Sequence, residues 1–149
     1  MCRLLYEAVK EGLEADGIIF MKESDSFKDV MNLTISDLRE LESYEVSEYI
    51  YTLSQYILYL TQVRNFYRIE YKRLSDEFDK KITEIKGSTK KDKRTKALEI
   101  EENSKIYDKI NFLEAHCSMF TGFIEGHLEI LNALKKIRED KVLEIRGTV

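Results

Sequence analysis

The sequence predicts an all-α protein, and three observations predict it. There is no proline among 149 residues, so nothing interrupts a long helix by removing a backbone donor. Two stretches then carry apolar residues at alternating steps of three and four, the spacing of a helical stripe. Between them lies a short polar segment, so the simplest fold is a long antiparallel helical hairpin preceded by a short N-terminal helical region.

Residues 1–33 form the least regular part and are set apart as an N-terminal extension to a hairpin domain over 34–149. Leu4, Leu5, Ala8 and Leu13 allow a short helix, which Gly12 and Gly17 weaken or end. The run 17–21 reads as a short strand or a buried turn. Thr34 or Ser36 then supplies the cap for a short helix carrying Ile35, Leu38 and Leu41, with Asp37 in its first turn.

From Val46 the pattern is sustained. Val46, Ile50, Leu53, Ile57, Leu60, Tyr67, Tyr71, Leu74, Phe78 and Ile85 hold a 3.5-residue repeat, which Arg64 and Lys81 interrupt. A helix over 46–86 is about 60 Å long and cannot bury its stripe alone. Its partner is the run Ile106, Ile110, Leu113, Cys117, Phe120, Ile124, Leu131, Leu134, Ile137 and Val142, with His127 in the seam. The connector over 87–95 opens on Gly87, placed as a helix C-cap, and is otherwise polar, with four basic residues.

The first long helix carries a second apolar stripe, Tyr49, Tyr56, Tyr59, Val63 and Phe66. One intrachain partner covers one stripe, so this one needs either the N-terminal helices or other subunits, and it is assigned to an oligomer interface. Ser118, Gly122 and Gly126 fall at i, i+4 and i+8 on the second helix. Interior glycine costs about 1 kcal/mol relative to alanine, and close approach of another backbone, of this chain or another, is the natural compensation, so this row is assigned to the same interface; the alternative is glycine tolerated on an exposed face.

A net charge of −4 conceals a segregation. Residues 1–63 hold five Lys/Arg against twelve Asp/Glu, 64–96 hold twelve against six, and 97–149 hold seven against ten. A basic middle between acidic ends suits a polyanion if the fold gathers it on one surface; otherwise it is a solvated charged face.

Catalysis finds little support. His116 and Cys117 point about 100° apart on a helix, and His116 and His127 are about 16 Å apart along it, so neither pair chelates one ion. Glu114 and Glu125 precede their histidines by two residues, not the three of a di-iron bundle. No phosphate-cradling or nucleophile-elbow motif is present. We therefore expect neither an enzyme nor a cofactor or metal. Two cysteines make no disulfide framework, and no apolar run approaches the length of a membrane span or a signal sequence. A soluble, cytoplasmic protein without membrane contact is the expectation.

The cations carry the remaining signal. Arg64, Arg68 and Lys72 make one stripe beside Tyr67 and Tyr71; Lys80, Lys81 and Lys86 lead to the connector, where Lys90, Lys91, Lys93, Arg94 and Lys96 cluster. Cations that track phosphates are what single-stranded nucleic acid requires, and with most aromatics in the seam the expected binding is dominated by phosphate and indifferent to sequence.

The layout of a short helix, a long Tyr-bearing helix, a basic connector and a second long helix resembles the UvsY-type phage recombination mediators. The resemblance covers 34–141, most plainly Leu53-Ser54-Gln55-Tyr56-Ile57-Leu58 running into Arg68-Ile69-Glu70, and Lys109-Ile110-Asn111-Phe112-Leu113 through Cys117-Ser118. It implies a small helical, ring-like homo-oligomer that binds single-stranded DNA and helps a recombinase displace single-strand-binding protein. The family's basic and aromatic DNA-contact element corresponds to 80–87, where lysines and a glycine are kept and the arginine and tyrosines are absent. In the host of a phage this chain would act in the cytoplasm. The alternative expectation is a coiled-coil structural or adaptor protein of a virion or assembly complex, its basic segment merely solvated.

Overall fold

The computed structural model describes residues 3–34 and 36–147, so Cys2 and Ile35 lie outside the described residues. These form α1 (Arg3–Ala15), α2 (Asp25–Asn32), α3 (Asp37–Glu40), α4 (Ser43–Glu84), α5 (Lys90–Leu98) and α6 (Glu101–Gly147), with no strand among them. The all-α class is therefore as expected. The chain packs as two compact units, one of Met1–Tyr59 with Ile124–Val149 and one of Leu60–Phe123.

In the first unit α1 ends where Gly17 adopts φ +73°. Its N–H donates to the Glu14 carbonyl at 3.0 Å, and the Ile18 N–H to that of Leu13 at 2.9 Å, the paired bonds of a Schellman ending. The following run, 18–24, is irregular and not a strand. Phe20 turns inward from it, with ring centroids 5.4 Å from Tyr59 and 6.3 Å from Tyr56, while Ile19 points outward. Ser24 then caps α2, its hydroxyl accepting from the Phe27 N–H at 3.1 Å. Phe27, 1% exposed, sets its ring edge-on to Tyr56 at 5.0 Å. Lys10 reaches from α1 to Glu23 at 2.6 Å, and the Ser26 hydroxyl donates to Glu48 on α4.

This packing bears on two expectations. Within the stretch set apart as an N-terminal extension, Val9, Leu13, Phe27, Val30 and Met31 are part of the buried core. Tyr49, Tyr56 and Val63 are themselves buried within the chain, and the Tyr59 hydroxyl donates to the Ile19 carbonyl at 3.2 Å. The second stripe is thus largely covered by the chain itself, with Tyr56 and Tyr59 closed over by N-terminal residues; Phe66 alone of the five is exposed.

Thr34 and Asp37 start α3 together. The Thr34 N–H and hydroxyl donate to Asp37 Oδ2 at 2.8 and 2.6 Å, bonds that hold this carboxyl below its ordinary pKa. Ser36, the other expected cap, has helical angles and makes no side-chain cap bond.

In the second unit α4 over 60–84 lies antiparallel to α6 over 101–123. Tyr67 stacks on Phe120 at 5.7 Å, Phe78 meets Tyr107 at 5.5 Å, and Lys81 meets Glu102 at 3.7 Å, so numbers rising on one helix meet numbers falling on the other. Leu60, Leu74, Ile110 and Leu113 complete a buried stripe on the expected faces, and Ile82 takes the buried place expected of Ile85, which is half-exposed. The connector differs from expectation. Its basic residues form the helix α5, which Ala97, fully buried, ties to the unit. Gly87 is not a left-handed C-cap, since Gly17 is the one glycine with positive φ among the described residues. A Cβ on Gly87 would lie 2.6 Å from Asp92 Oδ2 and 2.8 Å from Lys93 Cγ, so close approach of α5 is what this position requires.

Candidate nucleic-acid interface

The sequence Thr89-x-x-Asp92 starts α5. The Thr89 hydroxyl accepts from the Asp92 N–H at 3.1 Å, and Asp92 Oδ2 accepts from the Ser88 N–H at 3.3 Å and from Lys96 Nζ at 3.0 Å. The bond from Lys96 is the leading reason that the Asp92 carboxyl sits below its ordinary pKa. One acid thus orders a helix in which five of nine residues are basic. This capping signature is legible in the residues, although the polar, basic composition of the connector points to an irregular loop.

Within this cluster Lys90, Lys91 and Arg94 are exposed and Lys93 is half-buried. Arg94 is held in place, its Nη2 donating to the Tyr107 hydroxyl at 2.9 Å while the guanidinium lies 5.1 Å from the centre of that ring. Sequence reasoning missed Tyr107, which carries no spacing signal because its partner is 13 residues away. Lys96 is paired with Asp92 and Lys81 with Glu102, so these two of the expected contacts are partly neutralised. Lys86 is exposed beside α5, with its carbonyl 3.5 Å from Lys96 Nζ.

A second group of cations lines a groove of about 490 Å³ in the same unit. Arg64, Arg68 and Tyr71 form its α4 wall, and Glu114, Cys117, Ser118 and Thr121 its α6 wall. Burial pushes the Cys117 thiol up, Arg68 and Arg64 pull it back, and Glu114 adds to the rise, which locates both guanidiniums within electrostatic reach of the sulfur. Thr121 donates its hydroxyl to the Cys117 carbonyl at 2.9 Å.

The expected cations therefore form two groups rather than one patch. Arg68 and Lys80 are twelve residues apart on α4, about 18 Å along the axis, and exposed Lys72 lies between them. Among the described residues no ion pair holds Arg64, Arg68, Lys72, Lys80, Lys86, Lys90, Lys91 or Lys93. The charge segregation also follows the packing: the unit Leu60–Phe123 holds 14 Lys/Arg against 11 Asp/Glu, and the other unit 10 against 17.

Of the expected interface residues, Ser118, Gly122 and Gly126 are at least partly exposed, and a Cβ on either glycine would meet nothing within 4 Å. Among the described residues no backbone of the same chain compensates them. An exposed row absent from the sequence expectation is Tyr44, Tyr51 and Leu58, at seven-residue spacing on α4 and 70%, 67% and 51% exposed. The spacing is visible in the sequence, but these positions are hidden among the tyrosines and leucines that turn inward.

The histidines behave as packing residues. His127 is buried with its ring edge-on to Tyr56 at 5.0 Å. The His116 ring lies tilted against that of Phe112, centroids 3.9 Å apart, and its Nδ1 donates to the Phe112 carbonyl at 2.9 Å. Among the described residues no group of His, Cys, Asp or Glu could hold a metal, and no helix is long and apolar enough to cross a membrane. Comparison with family models, with characterised proteins and with solved structures finds no match to the chain.

Proposed function

We propose that this chain is a non-enzymatic protein that binds single-stranded DNA without sequence preference, works as a homo-oligomer, and mediates recombination by helping a recombinase replace single-strand-binding protein. The observation that supports binding is the set of lysines and arginines on the second unit without ion pairs among the described residues, concentrated on a helix and along a groove. Cations already neutralised by carboxylates have little left to offer a phosphate. Free ones displace the counterions of a strand, and the released ions drive association. The role in recombination is supported by the UvsY-type layout alone.

A second reading, a coiled-coil structural or adaptor protein, is favoured by the exposed row Tyr44, Tyr51 and Leu58, which would suit an assembly contact. One substitution set separates the two. Changing Lys90, Lys91, Lys93 and Arg94 to Ser removes four cations, none of which is in an ion pair among the described residues. The proposal expects the affinity for a labelled oligonucleotide to collapse while the sedimentation behaviour stays as it was. Unchanged binding after this substitution would reject the proposal.

A further inference from the structure

Exposed lysines attract duplex and single strand alike, because both present phosphates. A preference for single strands needs, in addition, a surface that meets an unpaired base. The groove between α4 and α6 in the second unit has both kinds of group on one wall. Arg64 and Arg68 stand one helical turn apart, and neither is in an ion pair among the described residues. Arg64 is half-buried where it lines the groove. Tyr71 continues this wall with a half-exposed ring.

The facing wall completes the arrangement. Ser118 and Thr121 are small hydroxyl residues that leave space across from the arginines, and Glu114 is the one acid lining the groove. Its carboxylate repels a polyanion from the α6 side and favours a strand that follows α4. A base within a duplex has both faces covered by its neighbours and cannot reach such a ring, whereas an unpaired base can.

Resting on the reading that the chain binds DNA, we infer that this groove is what distinguishes single strands from duplex: Arg64 and Arg68 hold consecutive phosphates, and Tyr71 stacks on an unpaired base. In this division of labour α5 supplies attraction that both forms of DNA use.

Cys117 in the same groove provides the test. In a Cys2→Ser chain it is the one remaining thiol, and its rate of reaction with a maleimide reports whether the groove is filled. We expect a single-stranded 20-mer to slow labelling at least fivefold, and a blunt duplex of equal length, at concentrations giving equal occupancy, to leave the rate unchanged. Binding isotherms extend the test. Tyr71→Leu should lower single-strand affinity about fivefold or more, the loss of one stacked base, and leave duplex affinity as it was. Arg64→Gln with Arg68→Gln should reduce the single-strand salt slope by about 1.4.

The labelling experiment uses the unaltered groove, so poor folding of a Tyr71 variant does not remove the test. Saturating single strand that leaves Cys117 fully reactive overturns this inference while the DNA-binding reading stands. Equal protection by duplex also overturns it. Failure of either DNA to bind the unaltered chain overturns both.

Discussion

Gly17 and Gly12 lie five residues apart and make opposite demands on a side chain. Gly17 sits at φ +73° with its N–H engaged in the ending of α1, whereas Gly12 is inside that helix, where an added methyl group would meet nothing within 4 Å. Gly17→Ala should therefore cost about 1 kcal/mol through left-handed strain, seen as a fall of about 3 °C in Tm. Gly12→Ala should raise stability by up to about 1 kcal/mol, since helix propensity is the term left acting. Parallel thermal unfolding curves check both signs. The sequence shows that glycines punctuate this region, but it does not show which is a stop and which is tolerated, because that depends on φ. The same holds for Gly87, whose position after α4 suggests a cap and whose actual constraint is the carboxylate of Asp92, five residues on.

At the scale of elements, the apolar stripes of α4 and α6 are legible because a seven-residue repeat needs no knowledge of the partner. Val46, Leu53, Leu60, Leu113, Phe120 and Leu134 are all 3% exposed or less. The order of α5 is hard to read, since its composition is that of a solvated loop and its helix depends on a local cap. That cap makes a prediction. A carboxyl held below its ordinary value of 3.8, as Asp92 is chiefly by Lys96, binds protons more weakly folded than unfolded. Its contribution is fully present above that value and is lost as pH falls through the lower folded value. Acidification in this range should loosen the amides of α5 in hydrogen exchange, and Asp92→Asn should loosen them already at neutral pH and abolish the acid dependence. The open row of Gly122 and Gly126 supports a separate measurement. With alanine at both positions, helix propensity alone adds up to about 2 kcal/mol of stability, whereas a second copy packed on this row would be driven off. Thermal unfolding and sedimentation of the double variant tell the two apart, and a homo-oligomer using this row loses mass.

For the whole molecule, the sequence reveals that charge is segregated, and packing divides it between two units of opposite net sign, the second less basic than its 64–96 core because acidic residues join it. It does not reveal which cations remain free, because Lys81–Glu102 is a contact between distant residues and the pairing of Lys96 depends on the turn that α5 forms. Nor does it show that Val9, Leu13, Phe27, Val30 and Met31 belong to a core, since Phe20 and Phe27 meet Tyr56 only after the chain folds back on itself. The central claim is that free cations of the second unit hold the phosphates of a single strand. Its most direct test is the dissociation constant of a labelled oligonucleotide measured across a range of salt, for the native chain and for the chain with Lys90, Lys91, Lys93 and Arg94 changed to Ser. Log affinity should fall steeply and linearly with log salt in the native chain, with a slope shallower by up to about 2.8 in the variant, about 0.7 for each cation removed. A native affinity indifferent to salt, or the same slope in both chains, would contradict the claim.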